Sequence, residues 1–351
     1  MPTRLAETSA RETIGQPVSA IDTPALVIDL DAMERNLLRM AEFAKTHGLR
    51  LRPHAKTHKS AELAKRQMAH GAVGVCVQKV DEALSLAQQG VSDIYITNEV
   101  IDPAKLARLA QAAKATTTRF AIAVDSLLGV ERLVQALQQA DVRRPKALDV
   151  FVEIDAGQHR CGAPHPEAAL ALARQILQQS HLRFAGLQAY HGGAQHLRSP
   201  EQRDAALSFA STAVRETVKV LRAGGIDVPL ITGAGTGTFV REASSGLWGE
   251  LQVGSYLFMD ADYAANLSDP SAPAFEHALW IKSQVMSRAE THAVCDAGHK
   301  SHAIDSGLPL VAEPPDLRFS NGGDEHGLLH PTQAEARLPA LGETVWLVPG
   351  H

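Results

Sequence analysis

The chain is poor in cysteine, and this scarcity excludes two common classes of protein. Its three cysteines, Cys76, Cys161 and Cys295, lie far apart and form no CxxC pair. Such spacing indicates neither a disulfide framework nor a thiolate zinc site. Unpaired cysteines in a chain of this size are typical of a reducing compartment, so we expect a cytoplasmic protein.

Targeting signals, membrane spans and basic surfaces are also missing from the sequence. The segment 1–21 is polar and mixed in charge, without the apolar run of a signal peptide. The longest apolar stretches are too short for a bilayer span. The net charge of −5 provides no electrostatic basis for binding nucleic acid or an anionic membrane. We therefore expect neither of these as a partner.

A regular alternation of short β-rich runs and longer amphipathic segments begins at residue 23. Nearly continuous apolar strands that alternate with helices are typical of a parallel sheet covered on both faces. About nine such runs fit an α/β fold of the (βα)8 TIM-barrel type, with one run left over. The runs are TPALVIDL, LRLRPHAK, GAVGVCVQ, SDIYITNEV, RFAIAVDS, ALDVFVEIDAG, RFAGLQAYHGG, VPLITGAGTG and ELQVGSYLFM.

The alternation ends at about residue 265, where the Pro/Ser/Asn-rich segment NLSDPSAPAFEHA follows. Beyond this segment come four β-like runs without long helices between them. They are ALWIKSQVMS, THAVCDAG, LRFSNGG and ETVWLVPG. This pattern predicts a smaller, β-rich C-terminal domain.

Two lysines and two histidines lie close together at the end of the run LRLRPHAK. In a barrel, the C-terminal ends of the strands carry the functional residues. A lysine amine that lies near other cations and in a partly apolar pocket has a lowered pKa, which makes it nucleophilic enough for a Schiff base. Either Lys56 or Lys59 could have this role, and a solvated basic loop is the alternative.

Glycine-rich segments end two later runs. In ITGAGTGT, Gly233, Gly235 and Gly237 offer backbone N–H groups that can surround an anion, although a tight turn is an alternative. The spacing is not that of a dinucleotide fingerprint. The next run ends in VGSY, whose Gly N–H, Ser hydroxyl and Tyr hydroxyl make a second candidate phosphate contact.

Polar residues also follow two central runs. Arg160, in EIDAGQHRCG, could hold a carboxylate or face a heteroaromatic nitrogen, and a salt bridge with Asp155 is the alternative. Tyr190, His191 and His196, in LQAYHGGAQH, are candidate acids, bases or cation partners, unless they only pack within the loop. Several histidines near the end of the chain could bind a divalent metal, but no spacing there is diagnostic.

Eleven segments, in the right order, resemble the D-threonine aldolases. They are DTPALVIDLDAMERNLLRM, RPHAKTHK, CVQKVDEA, DIYITNEV, VEIDAGQHRCG, FAGLQAYHGGAQH, TGAGTGT, ELQVGSYLFMDADY, DAGHKS, DEHG and LVPGH. That group belongs with the D-serine dehydratases in the alanine-racemase-like class of pyridoxal-phosphate enzymes. The resemblance extends over nearly the whole chain, from about Asp22 to His351.

The resemblance implies a pyridoxal-phosphate-binding βα barrel, a β-rich domain and a head-to-tail homodimer. It divides the chain into an N-terminal segment that packs with the β domain (1–30), the barrel (31–265) and the C-terminal β-rich domain (266–351). The run TPALVIDL then crosses to the β domain, and LRLRPHAK becomes the first barrel strand, in agreement with the count of eight.

The resemblance also implies roles for individual residues. Lys56 matches the Schiff-base lysine, Arg160 the arginine on the cofactor side, and Tyr190 an active-site tyrosine. His196 matches a histidine near the substrate hydroxyl. The expected phosphate contacts are Gly235, Thr236, Gly254, Ser255 and Tyr256.

The implied activity is that of a carbon–carbon lyase, which cleaves D-threonine or another D-3-hydroxy amino acid to glycine and an aldehyde. The family also uses a divalent metal that binds the substrate hydroxyl. We expect Mn²⁺, with Mg²⁺, Co²⁺ and Zn²⁺ as alternatives. His351 matches its first ligand, and the second would be two positions later, so we expect the chain to be truncated.

Two other functions are compatible with the same segments. The first is dehydration of a D-3-hydroxy amino acid of the D-serine type to a 2-oxo acid and ammonia. The second is a non-catalytic pyridoxal-phosphate-binding protein, which the large β domain disfavours. The segments HAKTHK, QAYHGGAQH and MDADY resemble aldolases more than dehydratases.

Overall fold

The computed structural model describes residues 14–142 and 147–351, which divide into two compact units. The barrel unit comprises Glu34–Leu257 and Ala265–Glu276. The β unit comprises the described residues up to Met33, together with Phe258–Ala264 and His277–His351. Among the described residues, every helix is too short or too polar to cross a bilayer.

The regular elements alternate along the first three-quarters of the chain. The strands are β1 (Ala25–Ile28), β2 (Arg50–Leu51), β3 (Val75–Val77), β4 (Asp93–Glu99), β5 (Arg119–Val124), β6 (Leu148–Glu153), β7 (Leu182–Ala189), β8 (Ile231–Gly233), β9 (Glu250–Leu251), β10 (Leu279–Arg288), β11 (Ala293–Cys295), β12 (Leu310–Glu313), β13 (Leu317–Asn321), β14 (Gly327–Pro331) and β15 (Thr344–Val348). The helices are α1 (Leu30–Thr46), α2 (Ala61–Ala69), α3 (Val80–Gln88), α4 (Pro103–Ala115), α5 (Leu127–Gln139), α6 (Pro166–Leu177), α7 (Pro200–Ala223), α8 (Phe239–Ser245) and α9 (Ala261–Ala264).

The barrel unit is built on a parallel sheet of eight strands, β2 to β9. Each strand pairs with the next from β3 to β9, and β9 pairs with β2. An isolated parallel bridge between His54 and Cys76 joins the ends of β2 and β3, which closes the circle. The predicted eight-stranded barrel, with LRLRPHAK as its first strand, is therefore confirmed.

Local sequence signals explain where the longer helices begin. Asp102 accepts a hydrogen bond from the Lys105 backbone N–H, and Pro103 occupies the first helical position of α4. At α7, Ser199 and Gln202 form a capping box around Pro200. The three- and four-residue spacing of apolar residues predicts helices over Pro103–Ala115 and Pro200–Ala223, and these are the bounds of α4 and α7. The short α8 and α9 carry no periodic pattern and are not predicted.

Two apolar layers stabilise the barrel unit. The helices pack on the outside of the sheet through residues such as Leu106, Leu133 and Ile176, all fully or almost fully buried. The barrel interior holds a smaller cluster that includes Tyr95 and Phe151. Burial of these apolar surfaces is the main favourable term for folding of this unit.

The β unit is antiparallel. The strand order is β12–β15–β10–β11–β14–β13, and β1 pairs with β10 so that Ala25 is opposite Lys282. Its core includes Ile281, Phe319 and Leu347. The predicted β-rich class is confirmed, although β12 and β14 lie outside the predicted runs.

Candidate active site

Lys56 lies in a single 3-10 turn, Ala55–Thr57, directly beyond β2. The turn is capped by His54, whose Nδ1 accepts a hydrogen bond from the Lys56 backbone N–H at 3.4 Å. Burial lowers the pKa of the Lys56 amine, and the charge of Arg160 lowers it further. A larger neutral fraction makes this amine a better nucleophile than an ordinary lysine.

His54 is a buried, neutral histidine beneath this turn. Only 7% of its surface is exposed, and its Nε2 lies 3.1 Å from Thr97 Oγ1 and 3.0 Å from Gln78 Nε2. Burial lowers the pKa of His54 well below its usual value, and Lys56 adds to the shift. The ring therefore holds the turn in place without adding a second positive charge beside the amine.

Lys59 lies in a different environment from Lys56. It is exposed, its φ is 51°, and its Nζ forms an ion pair with Glu82 at 3.4 Å. Beside it, burial lowers the pKa of His58 to about 4. Both lysines are exposed as whole residues, and they differ at their amines: desolvation and then the charge of Arg160 lower the pKa of Lys56, whereas the Lys59 amine pairs with Glu82.

Arg160 and Tyr190 come together at the ends of β6 and β7. The Arg160 guanidinium carbon lies 5.8 Å from the centroid of the Tyr190 ring, within range of a cation–π contact. Burial raises the pKa of Tyr190 to about 12, with Arg160 opposing the shift. The phenol is therefore protonated at neutral pH and can donate a hydrogen bond. Lys56 follows β2, Arg160 follows β6 and Tyr190 follows β7, so all three residues lie at the C-terminal ends of parallel barrel strands.

Acidic groups and a thiol lie at the same end of the barrel. Burial, and then the neighbouring Glu99, raise the pKa of Glu153, which is only 3% exposed. One donor atom each from Glu99, Asp125 and Cys161 lie within 4.8 Å of one another, an arrangement that could hold a metal ion. Burial and Glu99 raise the pKa of Cys161 to about 11, however. A cation that bound there would have to displace the proton of the thiol, because cysteine binds a metal as the thiolate.

The loops after β8 and β9 form a cradle of small residues beside the Lys56 turn. A Cβ on Gly254 would lie 2.8 Å from Thr57 Oγ1 and 3.3 Å from His54, so this glycine allows the close approach. The two loops are joined by Thr236, whose Oγ1 accepts a hydrogen bond from the Tyr256 backbone N–H at 3.0 Å. Ala234, at the start of the first loop, has a φ of 69°, a conformation that costs energy for a residue other than glycine.

Tyr256 and Ser255 occupy the second loop of this cradle. The Tyr256 side chain is fully buried, and its hydroxyl accepts a hydrogen bond from Gln67 Nε2 at 3.0 Å. Ser255 is partly exposed at the start of a 3-10 turn, Ser255–Leu257. The Tyr256 phenol is thus directed toward α2, while Ser255 is accessible.

His196 ends a 3-10 turn, Gly192–His196, that follows β7, and its side chain is exposed. The preceding residue, Gln195, is buried and bonds to the loop after β8. In the loop after β6, Asp155 accepts a hydrogen bond from the Gly157 N–H and pairs with His159 at 2.6 Å. A salt bridge between Asp155 and Arg160 is the alternative that the sequence leaves open, and in the structure the Asp155 carboxylate pairs with His159 instead.

His351 belongs to the β unit, where Asp260 orients it. The His351 Nδ1 lies 2.9 Å from Asp260 Oδ2, and the side chain of Asp260 is almost completely buried. The ring also lies 5.6 Å from that of Tyr263. A carboxylate on one ring nitrogen fixes the tautomer and raises the basicity of the other nitrogen, as is common for metal-binding histidines.

Sequence reasoning missed several residues that hold these groups. They are Gln78, Glu99, Gln195, Glu242 and Asp260. Gln78 and Glu99 lie where β-rich runs end, so the position of polar residues beyond apolar runs was a usable signal. Gln195 had no such signal, because its partners Gly237 and Thr238 lie more than 40 positions later in the chain. Glu242 accepts its hydrogen bond from Thr238, four positions before it, in a segment without a periodic pattern.

Comparison with known proteins agrees with this geometry. The family profile described as "Alanine racemase, N-terminal domain" matches residues 28–262, and the profile "Putative serine dehydratase domain" matches residues 278–351. The chain is 43% identical to a D-threonine aldolase of Arthrobacter sp., over 96% of this chain and 87% of that protein. It is 41% identical to a 3-hydroxy-D-aspartate aldolase of Paracoccus denitrificans, with the same coverage.

A solved structure extends the likeness to three dimensions. The D-threonine aldolase from Filomicrobium marinum superimposes with a TM-score of 0.90 and 45% sequence identity, covering 95% of this chain and 88% of that one. Both the sequence and the fold thus match over nearly the full length of this chain. The chain belongs to the D-threonine aldolase group of the alanine-racemase-like, pyridoxal-phosphate-dependent enzymes.

Proposed function

We propose that this protein is a carbon–carbon lyase that uses pyridoxal phosphate and a divalent metal to cleave D-threonine and other D-3-hydroxy amino acids to glycine and an aldehyde. The observation that carries the proposal is the match to aldolases over 96% of the chain. The cluster of Lys56, Arg160 and Tyr190 at one end of the barrel supports it, because an aldolase of this family needs a reactive amine there.

The residues at this end of the barrel fit pyridoxal phosphate. The cofactor needs a nucleophilic amine for its aldehyde, donors for its phosphate and a group facing its ring nitrogen. Lys56 has the lowered amine pKa, Arg160 lies close enough to influence it, and the loops of Gly235 and Gly254 are packed too tightly for a Cβ. When bound, the cofactor accepts the electron pair that is released as the Cα–Cβ bond breaks.

Each residue then has a defined task. Lys56 would hold the cofactor through its aldehyde, and Gly235, Thr236, Gly254 and Ser255 would hold its phosphate. Arg160 would lie on the side of the ring nitrogen. We assign to Tyr256 the support of the phosphate loops rather than a direct contact, because its hydroxyl and its backbone N–H bond to Gln67 and Thr236.

Proton transfer falls to the residues that follow β7. The 3-hydroxyl of the substrate must lose its proton before the Cα–Cβ bond breaks, and His196 is our candidate base because it is exposed at the end of the turn that follows β7 and histidine is the side chain most often used as a general base. Tyr190 remains protonated at neutral pH and donates a hydrogen bond at the reacting centre.

The metal is assigned to the β unit through His351. Its pairing with the buried Asp260 carboxylate leaves an imidazole of the kind that binds divalent ions. A bound ion would lower the pKa of the substrate hydroxyl. Mn²⁺ is our first expectation, with Mg²⁺, Co²⁺ and Zn²⁺ as alternatives.

Dehydration is the second candidate, favoured by the match of residues 278–351 to the dehydratase profile. One assay separates the two reactions. The holo-protein is incubated with Mn²⁺ and, in parallel, with D-threonine, L-threonine, D-serine or 3-hydroxy-D-aspartate. We expect glycine and acetaldehyde from D-threonine, and no product from L-threonine. Ammonia and 2-oxobutyrate in place of glycine and acetaldehyde would establish the dehydratase instead.

The metal requirement is tested in the same assay after treatment with a chelator. We expect activity to be lost and to return when Mn²⁺ is added, and unchanged activity in the metal-free protein would contradict the role of His351. The homodimer and the cytoplasmic location, both expected above, remain predictions. Light scattering of the purified protein checks the former.

A further inference from the structure

Gln195 is a buried side chain whose polar groups all have partners in two different loops. Only 1% of its surface is exposed. Its Oε1 accepts a hydrogen bond from the Gly237 N–H at 2.9 Å, and its Nε2 donates to Thr238 Oγ1 at 2.9 Å and to the His191 carbonyl at 3.3 Å. Its backbone carbonyl accepts from Asn266 Nδ2 at 2.9 Å. The side chain therefore joins the turn after β7 to the glycine loop after β8.

The glycines of this loop are shaped to fit Gln195. A Cβ on Gly235 would lie 2.3 Å from Gln195 Oε1, and its three nearest neighbours would all be atoms of that side chain. A Cβ on Gly237 would lie 2.6 Å from the Gln195 carbonyl oxygen. Neither glycine has a φ in the left-handed region. At Gly235, contact with Gln195 rather than backbone conformation thus excludes a larger residue.

The bonding continues into α8. Thr238 Oγ1 receives the Gln195 bond and donates to Glu242 Oε1 at 2.9 Å, and Glu242 is 1% exposed. A network of buried hydrogen bonds of this kind fixes the conformation of the groups that it joins, because each unmade bond would leave a buried polar atom unsatisfied.

We propose that Gln195 is a positioning residue for the cofactor-phosphate site. Gln195 holds residues 235–238 in one conformation and connects them to the turn that carries His196. The inference rests on the proposed function, since it takes this loop to be the phosphate site. The Gly237 N–H donates to Gln195 and is therefore not used for the phosphate, which the neighbouring donors would bind. The bonding of Gln195 also explains how the phosphate loop and the candidate base keep a constant spacing.

The test compares two ligands that differ only in the phosphate. The full chain, freed of cofactor, is titrated with pyridoxal 5′-phosphate and with pyridoxal, both of which can react with the Lys56 amine, and absorbance reports binding. In Gln195→Ala we expect the affinity for pyridoxal phosphate to fall about tenfold, the effect of losing one well-placed hydrogen bond. The affinity for pyridoxal should stay within about twofold of that of the unmodified protein, because pyridoxal has no phosphate to contact the loop. Gln195→Met, which keeps the volume, serves as a second variant if the alanine variant folds poorly.

Gln188→Ala is the matched control. Gln188 is also a buried glutamine, 2% exposed, and it bonds to Tyr95 and Gln252 inside the barrel. The Gln188→Ala variant should be less stable than the unmodified protein, but the ratio of its affinities for pyridoxal phosphate and pyridoxal should be unchanged. If the Gln195 variants also leave that ratio unchanged, the inference is overturned while the proposed function stands. If neither ligand reacts with the unmodified protein at Lys56, both are overturned.

A double-mutant cycle tests the packing independently. Gly235→Ala should destabilise the protein because the methyl group meets Gln195. In the Gln195→Ala background the same change should cost much less, so that the two effects are strongly non-additive. Strict additivity of the free energies of unfolding, measured in urea, would contradict the contact on which the inference depends.

Discussion

At the N-terminal ends of the barrel strands, every buried charge that we describe faces an opposite charge, whereas at the C-terminal ends like charges face each other. Arg52 lies between Asp93 and Glu250, and Asp149 lies between Arg119 and Arg183. At the other end, the charge with the largest effect on Lys56 is Arg160, ahead of Glu82, and the charge with the largest effect on Glu153 is Glu99, ahead of Arg160. Opposite charges stabilise the fold, while like charges shift pKa values toward those that proton transfer and nucleophilic attack need.

The paired charges at the N-terminal ends of the strands stabilise the barrel, whereas the charges at the C-terminal ends are less completely paired. A buried ion beside an opposite charge is a poor acid, base or nucleophile, because the pairing stabilises its charged form. A lysine beside an arginine has a lowered pKa, which favours nucleophilic attack on a bound aldehyde. In such barrels the residues at the C-terminal ends of the strands usually carry the function, and those at the N-terminal ends contribute to stability.

The largest effect is expected at Lys56. Lys56→Ala should abolish the absorbance of covalently bound pyridoxal phosphate and all lyase activity, while thermal stability without cofactor changes little. Lys59→Ala is the matched control, because Lys59 is exposed and pairs with Glu82. Retention of the absorbance band in Lys56→Ala, or its loss in Lys59→Ala, would reverse the assignment of the two lysines.

The next effect is expected at Arg52, at the opposite end of the barrel. Arg52→Met leaves Asp93 and Glu250 without their shared buried cation, which should cost about 3–5 kcal/mol in the free energy of unfolding. Arg50→Met is the control. Arg50 also pairs with Glu250, at 3.0 Å, but is largely exposed, so we expect a loss of about 1 kcal/mol or less.

Urea unfolding followed by circular dichroism measures both variants. The folded fraction of Arg52→Met should still bind pyridoxal phosphate with unchanged affinity. A variant that keeps its stability but loses the cofactor would show that the two ends of the barrel are not separate in function.

The smallest effect is expected at Glu242. This residue is as buried as Glu250, but its hydrogen-bond partner is the neutral Thr238 rather than an arginine. Burial raises the pKa of Glu242 from 4.5 to about 7, and Arg241 only partly opposes this. The unfolded chain ionises this group above pH 4.5, while the folded chain keeps the proton up to about pH 7. Its stabilising contribution is therefore complete below pH 4.5, falls as the pH rises, and is lost above pH 7.

Glu242→Gln removes this dependence. The difference in unfolding free energy between the variant and the parent protein should rise in favour of the variant by about 3 kcal/mol between pH 4.5 and pH 8, which corresponds to the difference between pKa values of 4.5 and about 7. Thermal melts across this pH range provide the measurement. A difference that does not change with pH would mean that Glu242 is ionised in the folded protein.

Much of the barrel was predictable from local pattern. Helix α7 has a proline, a capping box and a regular apolar stripe, and its bounds agree with the structure. The strands of the barrel read as apolar runs because both of their faces are buried. The strands β12 and β14 were missed because they lie in half-exposed, antiparallel segments interrupted by glycine, proline or histidine.

The candidate site was predictable only in part. Lys56, Arg160 and Tyr190 each follow an apolar run, so their position at one end of the barrel follows from the order of strands and helices. Nothing local distinguishes Gln195 from other glutamines, because its partners lie in a loop some 40 residues later. The pairing of Asp155 with His159 rather than Arg160 is likewise a matter of loop geometry.

Local patterns in the sequence predict a parallel βα barrel with two lysines and two histidines at the end of its first strand, and a β-rich domain beside it in the chain, because periodicity and apolar runs are local properties. The tertiary structure decided which charges meet. Only the closed barrel brings Arg160 toward Lys56, places Glu99 beside Glu153 and lets Gln195 hold the glycine loop. Electrostatic interactions and hydrogen bonds depend on distances between atoms, and those distances are fixed only when the strands close into a barrel.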